Sequence, residues 1–312
     1  MATFNTTPSE ETYEIKDYEE VANDTATEDP IPLTDATEGM TMKEINDANK
    51  IKVTIADKTT PIVVLFGPPS CGKTMTLIRL ARFLKSLGYT IEPDASFRPA
   101  YDANYKRLCE GFNDMLNSDN AAYNTANINF MLVKVLKDGR PICQILEGPG
   151  ELYFNPGVPT AEFPRYVKAI KNSNNKKIWV VMVEPNDTNP VMDGERRRHY
   201  ADKVSELKSN LDTKDKVIFL FNKIDKTHFV HSPGNIKYGL AMQYIAQHYE
   251  NLFQKYINEN PITKIWRKYN FDFIGFQTGD YSTASDGVKT FEEGNDVYPR
   301  NLWNIILKRT RG

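Results

Sequence analysis

Residues 67–74 read Gly67-Pro-Pro-Ser-Cys-Gly-Lys-Thr74, and this octapeptide decides how the rest of the chain is interpreted. It satisfies the pattern G-x-x-x-x-G-K-[ST] in full. The apolar run Pro61–Phe66 precedes it, and leucines recur every three or four residues after it, until Gly88. That context predicts a strand before the loop and an amphipathic helix behind it. Such a loop directs backbone N–H groups and the helix dipole at a phosphate, so the sequence predicts a P-loop.

Each part of this loop has an expected role toward a bound phosphate. The glycines permit the backbone turn, and Ser70 and later residues supply N–H groups because Pro68 and Pro69 have none. Lys73 is expected to reach the β- and γ-phosphate oxygens and so to act in catalysis, and the Thr74 hydroxyl to bind Mg²⁺. The predicted phosphate-binding residues of the loop are Gly67, Ser70, Cys71, Gly72, Lys73 and Thr74.

Further apolar runs predict the remaining strands of a sheet that is covered on both faces. They are residues 128–136, 141–146, 178–183, 216–221 and 271–276. Helical periodicity separates most of them, which predicts a doubly wound α/β fold. Asp138-Gly139 lies between the runs 128–136 and 141–146 and is a strong hairpin signal. The sequence therefore predicts a mostly parallel six-stranded sheet with one antiparallel edge strand.

The predicted domain occupies residues 49–312, after an acidic tail at residues 1–48. The first fifty residues carry thirteen Asp or Glu and three Lys, and they show no helical or strand periodicity. We expect that tail to be largely disordered. Within the domain we expect a helical insertion near 95–124 and additional helices in the extended segment 226–270. Arg196–His199 is predicted to form a solvated helix face, and Trp179, Trp266 and Trp303 to belong to the core.

Composition excludes several classes of protein. No apolar run approaches the ~20 residues that span a bilayer. The chain begins without a secretory signal, ends without a prenylation motif, and has Ala2 where myristoylation needs glycine, so no stable membrane anchor is expected. Three widely spaced cysteines predict reduced thiols in the cytoplasm. The mildly basic body does not by itself imply nucleic-acid binding, and none is expected.

A second motif, Asn222-Lys223-Ile224-Asp225, directly follows the run 216–221. Asp225 can accept two hydrogen bonds from guanine, at N1–H and at the 2-amino group, whereas adenine offers neither in that arrangement. Asn222 can bond the base edge and tie its loop to the P-loop. The stem of Lys223 can cover one face of the ring. With the P-loop, this motif predicts binding of a guanine nucleotide.

The two motifs together resemble the Ras-like, translation-factor-related class of P-loop GTPases, over about residues 60–312. The resemblance implies a G domain that binds GTP and GDP with Mg²⁺. It also implies slow intrinsic hydrolysis and a switch role with a protein effector or activator of unknown identity. In this family a short loop after the last strand closes over the base. That place falls on Gln277-Thr278-Gly279, which makes Thr278 a candidate guanine-binding residue.

The resemblance also implies switch residues, and here the chain departs from the family pattern. The usual D-x-x-G motif becomes Glu147-Gly-Pro-Gly150, with Glu147 expected at Mg²⁺ through water and the N–H of Gly150 at the γ-phosphate. Glu151 stands where a glutamine or histidine often orients the attacking water, so it is a catalytic candidate. Thr125 is the candidate for the upstream threonine that binds Mg²⁺.

Three functional interpretations remain open. The leading one is a GTPase switch, and the second is a scaffold that holds GTP or GDP with little hydrolysis. The second is motivated by the two glutamates, since a carboxylate at Glu151 repels the γ-phosphate as readily as it polarises water. The third is an ATP-using P-loop enzyme, which leaves Asn222–Asp225 without a role.

Overall fold

A computed structural model describes residues 41–117, 130–283 and 289–311. The strands are β1 (Ile62–Phe66), β2 (Thr90–Pro93), β3 (Met131–Lys137), β4 (Arg140–Glu147), β5 (Lys177–Val183), β6 (Lys216–Phe221), β7 (Val230–Ser232), β8 (Asn235–Ile236), β9 (Asp272–Gly275), β10 (Gly279–Thr283) and β11 (Lys289–Glu293). The helices are α1 (Met42–Asn46), α2 (Lys73–Ser86), α3 (Ala103–Asn117), α4 (Gly150–Tyr153), α5 (Arg165–Lys171), α6 (Gly194–Ser209), α7 (Tyr238–His248), α8 (Pro261–Trp266) and α9 (Val297–Arg311).

Seven strands form the central sheet of the described chain, in the order β2-β3-β4-β1-β5-β6-β9. Strands β4, β1, β5, β6 and β9 are parallel, and β3 pairs antiparallel with both β4 and β2. Every residue of β1 and of β5 is buried, so helices cover both faces of the sheet. The prediction of a doubly wound, mostly parallel α/β sheet is confirmed.

The predicted count of six strands needs a correction, because β2 adds a seventh at the edge. Its sequence, Thr90-Ile-Glu-Pro93, is short and alternates exposed with buried positions, so it produces no apolar run. The antiparallel strand β3 consequently lies one place in from the edge. Proline is tolerated in β2 because an edge strand leaves one side of its backbone unpaired.

The turn between β3 and β4 has the backbone that its sequence predicts. Asp138 and Gly139 both adopt positive φ, 51° and 72°, as the mirror-image hairpin turns require. The end of α2 also follows prediction, since Gly88 has φ +75° and its N–H bonds the Lys85 carbonyl. Local turn chemistry therefore determines both the β3–β4 hairpin and the end of helix α2.

Helix α1 belongs to the packed structure, although its residues fall within the predicted disordered tail 1–48. Thr41 caps the helix in a capping box with Glu44. The Glu44 carboxylate is buried and pairs with Arg98 at 2.5 Å. Arg98 also pairs with Asp102 at 2.9 Å and donates to the Lys52 carbonyl. Residues 1–40 of the predicted tail lie outside the described residues.

Both predicted insertions contain helices. Helix α3 falls within the predicted insertion 95–124, of which residues 118–124 lie outside the described part. The segment 226–270 carries the β7–β8 hairpin and helices α7 and α8.

Trp179 and Trp303 are buried as predicted, but Trp266 is 87% exposed, so the prediction that it belongs to the core is wrong. No helix among the described residues is long and apolar enough to cross a membrane.

Candidate nucleotide-binding site

The site residues predicted from sequence follow the carboxyl ends of parallel strands. The P-loop follows β1, Glu147 ends β4, Asn222–Asp225 follow β6, and Gln277-Thr278 follow β9. Parallel strands end at the same edge of a sheet, so these loops meet there. This edge is where ligands bind in open α/β sheets.

The backbone of the P-loop is left-handed at two residues. Gly72 immediately precedes α2 in the left-handed region, with φ +88°, and Ser70 also has a positive φ, 59°. The ammonium of Lys73 is buried and donates to the carbonyls of Gly67, at 3.3 Å, and Pro68, at 2.9 Å. Lys73 thus points back across the loop, where a phosphate would lie beside it. Burial raises the pKa of the Cys71 thiol to about 11, which keeps it protonated.

Asn222 joins the second motif to the P-loop. Its side-chain amide donates to the Cys71 carbonyl at 2.9 Å and is buried. A β-carbon on Gly72 would lie 2.4 Å from the Asn222 Nδ2 and would displace that amide, and the φ of +88° also favours glycine at this position. The Asn222 Oδ1 is buried without a hydrogen-bond partner among the described residues.

Lys223 lies across the same loop and is held by a residue that sequence reasoning missed. Its ammonium donates to the Ser70 carbonyl at 3.3 Å and the Thr188 carbonyl at 2.7 Å. It also forms an ion pair at 2.8 Å with Glu184, whose side chain is fully buried. The backbone of Lys223 has a positive φ, 52°, which turns its side chain over the loop.

The segment after β5, residues 184–189, is a third partner of the P-loop. The Asn189 amide donates to the Pro69 carbonyl at 3.0 Å and to the Glu184 carboxylate at 2.5 Å. Arg197 of α6 anchors this segment through both the backbone and the side-chain carbonyl oxygens of Asn186. Arg197 is therefore buried rather than on the solvated face predicted for 196–199. In the sequence this segment shows only as a polar stretch, residues 184–189, after the apolar run 178–183, and nothing there marks Glu184 or Arg197 as buried.

Asp225 and Thr278 lie on adjacent segments. Asp225 is partly buried in the turn Ile224–Lys226, and its carboxylate is 3.4 Å from the Lys226 ammonium. The Ile224 N–H donates to the Phe276 carbonyl at 3.2 Å, which holds this turn beside the segment after β9. Thr278 is largely buried there, and its carbonyl accepts from the Gly294 N–H. The segments that carry Asp225 and Thr278 therefore lie side by side.

Glu147 and Thr74 form the candidate Mg²⁺ site. The Thr74 hydroxyl donates to Glu147 Oε1 at 3.0 Å. Glu147 Oε2 is buried without a hydrogen-bond partner among the described residues. Burial raises the pKa of Glu147 to about 7, against the opposing effects of Lys73 and the Thr74 hydroxyl. A divalent cation or its bound water fits this carboxylate oxygen, because it would supply the missing partner and offset the buried charge.

Gly150 packs directly on the P-loop at the start of α4. A β-carbon there would lie 2.3 Å from the Pro69 nitrogen and 2.6 Å from the Pro68 carbonyl oxygen. Glu151 follows on the same short helix, close enough that its charge contributes to the raised pKa of Glu147. Thr125, the remaining Mg²⁺ candidate, lies outside the described residues.

Comparisons with known proteins found similarity in fold only. No family model matches the chain, and no curated protein matches it. Among solved structures, the chain is similar to nucleolar GTP-binding protein 1 of Plasmodium falciparum, with a TM-score of 0.40 and 13% identity. That match covers 83% of this chain and 92% of the other.

Two further solved structures are similar over only about half of their own length. The S. cerevisiae Ski7 GTPase-like domain bound to GTP has a TM-score of 0.38 and 14% identity, over 88% of this chain and 53% of the other. Methanosarcina barkeri Roco2 RocCORdC bound to GDP has a TM-score of 0.31 and 11% identity, over 83% and 51%. The chain itself has the sheet order β2-β3-β4-β1-β5-β6-β9 and an N-K-x-D segment hydrogen-bonded to its P-loop. By those features, the chain has the fold of a P-loop GTPase.

Proposed function

We propose that this protein binds GTP and GDP with Mg²⁺ at the carboxyl edge of its sheet, hydrolyses GTP slowly, and acts as a cytoplasmic switch. The observation that carries the proposal is the joining of the two motifs: Asn222 bonds the Cys71 carbonyl and Lys223 bonds the Ser70 carbonyl. A P-loop serves many nucleotides, but a P-loop bonded to N-K-x-D is a site for guanine. An unrelated chance match to N-K-x-D would have no reason to contact the phosphate loop.

In this proposal each residue has a defined role toward the nucleotide. Lys73 and the N–H groups of the loop neutralise the phosphates, and the Asp225 carboxylate accepts the guanine N1–H and 2-amino hydrogens. Thr74, and Glu147 through water, would hold Mg²⁺, which would neutralise part of the phosphate charge. Catalysis is then mostly positioning and electrostatic stabilisation, with Glu151 beside the attacking water.

The first test is displacement of a fluorescent GDP by GTP or by ATP, with Mg²⁺, for wild type and Asp225→Asn. GTP should compete and ATP should not, and the substitution should weaken GDP binding by about tenfold or more, since it replaces an acceptor that receives two hydrogen bonds. Equal competition by ATP, together with unchanged binding by Asp225→Asn, would reassign the protein to the adenine-using P-loop enzymes.

A scaffold that holds nucleotide without useful hydrolysis is the second candidate, and a specific observation favours it. Gly150 is packed against Pro68 and Pro69, so the segment that would bind a γ-phosphate is already in contact with the loop. Single-turnover hydrolysis of GTP distinguishes the two functions. A switch should convert bound GTP slowly, and faster by ~10³–10⁵ with a partner that supplies an arginine. Rapid turnover by the purified protein alone contradicts a partner-dependent switch.

A further inference from the structure

A finger of chain projects between β6 and β9, at residues 257–269. Ile257 and Tyr269 form an antiparallel bridge at its base, and the Asn258 N–H donates to the Lys268 carbonyl at 2.9 Å. Helix α8 forms its tip, with Asn260 as the N-cap. Every residue from 259 to 268 is exposed, so the tip stands clear of the domain.

The tip carries the most exposed apolar side chains among the described residues. Ile262 is 72% exposed, Ile265 80% and Trp266 87%. Their spacing of three and four residues places them on one side of the helical turn. Holding two isoleucines and a tryptophan in water is unfavourable, and nothing in the described fold requires it.

The charges around this apolar tip are predominantly basic. Lys264, Arg267 and Lys268 lie within or next to α8, and Glu259 is the one acidic residue of the finger's sequence. Arg267 is 3.6 Å from Asp272 at the base, whereas Lys264 and Lys268 are exposed at the tip. The basic side chains of the tip complement negative charge at the surface of a partner, and the tryptophan and isoleucines complement an apolar layer beneath that charge.

These features favour a lipid surface over a protein partner. Protein interfaces of ordinary size bury about 800 Å² on each side and are depleted of lysine at their core. Three apolar side chains on a single turn, interleaved with lysines, are a small wedge rather than a broad patch. Tryptophan and isoleucine partition into the acyl boundary, and each nearby lysine adds attraction to anionic headgroups.

We propose that this finger, through Ile262, Ile265 and Trp266, docks the protein reversibly on an anionic lipid surface. The finger leads directly into the amino end of β9, whereas the nucleotide site lies at the carboxyl ends of the strands. Docking therefore leaves the P-loop and its neighbours open. A single wedge of this kind gives reversible attachment and not a permanent anchor.

Tryptophan fluorescence of the full chain with lipid vesicles tests this inference. Of the three tryptophans, Trp179 and Trp303 are buried and Trp266 is exposed, so a change in emission on vesicle binding reports on Trp266. With vesicles of phosphatidylcholine and phosphatidylserine, Trp266 emission should shift to the blue and be quenched by lipids brominated in the acyl chain. Vesicles of phosphatidylcholine alone should give a much smaller change.

Cosedimentation with the same vesicles tests the named residues. Trp266→Ser and the double variant Lys264→Glu/Lys268→Glu should each weaken binding by about tenfold. Tyr101→Ser is the matched control, since Tyr101 is 66% exposed outside the finger, and it should bind as wild type does. Displacement of fluorescent GDP should be the same for Trp266→Ser and wild type, which separates this inference from the proposed function.

Two outcomes would overturn the inference. One is cosedimentation that is absent, or unchanged in Trp266→Ser. The other is self-association that Trp266→Ser abolishes in the absence of lipid, together with no vesicle binding, which would assign the finger to contact with a second copy of the chain.

Discussion

Gly72 and Gly150 each lie so close to a neighbouring segment that a β-carbon would overlap it. At Gly72 the neighbour is the Asn222 side chain, and at Gly150 it is the backbone of Pro68 and Pro69. Gly72 also needs its left-handed backbone, whereas Gly150 is constrained by space alone. These two glycines let the loops after β4 and β6 each pack directly against the P-loop.

Substituting Gly150 by alanine should therefore destabilise the protein. The β-carbon meets backbone atoms at 2.3–2.6 Å, which cannot rotate away, so α4 or the P-loop must move. We expect a loss of about 1–3 kcal/mol in the free energy of unfolding, measured by urea denaturation. Gly111→Ala in α3 is the control, since no atom lies within 4 Å of its added carbon, and it should gain up to about 1 kcal/mol. Equal stability of Gly150→Ala and wild type would contradict the packing.

Glu44 should make the stability of the protein depend on acid pH. Burial alone would raise the pKa of this carboxyl, but hydrogen bonds from Arg98, Thr41 and Lys52 outweigh it and lower the pKa from 4.5 to about 2. A pKa that is lower in the folded state contributes stability above the unfolded value and loses it as pH falls toward the folded value.

The variant Glu44→Gln should consequently be less stable than wild type by about 2 kcal/mol at neutral pH. The difference should shrink as the pH falls from about 5 to about 2, because wild type then loses the same charge. Urea denaturation at a series of pH values measures it, with the exposed Glu259→Gln as control. A difference that does not change with pH would exclude the buried ion pair as its source.

At the scale of elements, the end of β5 organises the site as much as the two motifs do. Glu184 is the first residue after β5. Its carboxylate forms an ion pair with the Lys223 ammonium and accepts a hydrogen bond from the Asn189 amide. Asn189 in turn holds the Pro69 carbonyl. A single buried carboxylate thus connects the loops that follow β1, β5 and β6.

Glu184→Gln should weaken this connection. Lys223 would lose its charged partner, and we expect a loss of about 1–3 kcal/mol in the free energy of unfolding. If the proposed function is right, GDP affinity should fall as well, because Lys223 is then less firmly placed. Urea denaturation and GDP displacement measure the two effects. Glu195→Gln, on the exposed start of α6, should change neither, and a Glu184→Gln protein as stable as wild type would show that the ion pair contributes nothing.

At the scale of the whole molecule, the folded domain includes residues before the predicted boundary at residue 48. Helix α1 sends Glu44 into the interior, where Arg98 and Asp102 complete a buried ion-pair network. Arg98 also lies 5.5 Å above the ring of Phe130, next to β3. The beginning of the described chain is thereby attached to the segment before α3 and to the sheet.

A chain that begins at Thr41 should be more stable than one that begins at Asn49. The shorter chain lacks Glu44, which leaves Arg98 with Asp102 as its remaining carboxylate partner, and it loses the contacts of α1. We expect a difference of about 2–4 kcal/mol in the free energy of unfolding, measured by urea denaturation of the two chains side by side. Equal midpoints would place the start of the folded domain at or after residue 49.

The sequence by itself determined the features that depend on neighbouring residues. The P-loop, the hairpin at Asp138-Gly139, the end of α2 at Gly88 and the apolar strands all have local signals, because turn chemistry and apolar periodicity act over a few residues. These signals were sufficient for the doubly wound sheet and for the order of the site loops. The strand β2 was not predicted, because a short edge strand needs no apolar run.

Only the tertiary structure decided the features that depend on distant partners. Glu184 and Arg197 look like ordinary polar residues in the sequence, and their burial follows from partners that the fold brings to them. Glu44 was assigned to the tail because local composition is acidic, yet Arg98 lies more than fifty residues away. Trp266 was assigned to the core because hydrophobicity alone does not report which side of an element faces water. Burial is a property of the assembled chain, and that is why the sequence predicted the site's motifs but not the residues that support them.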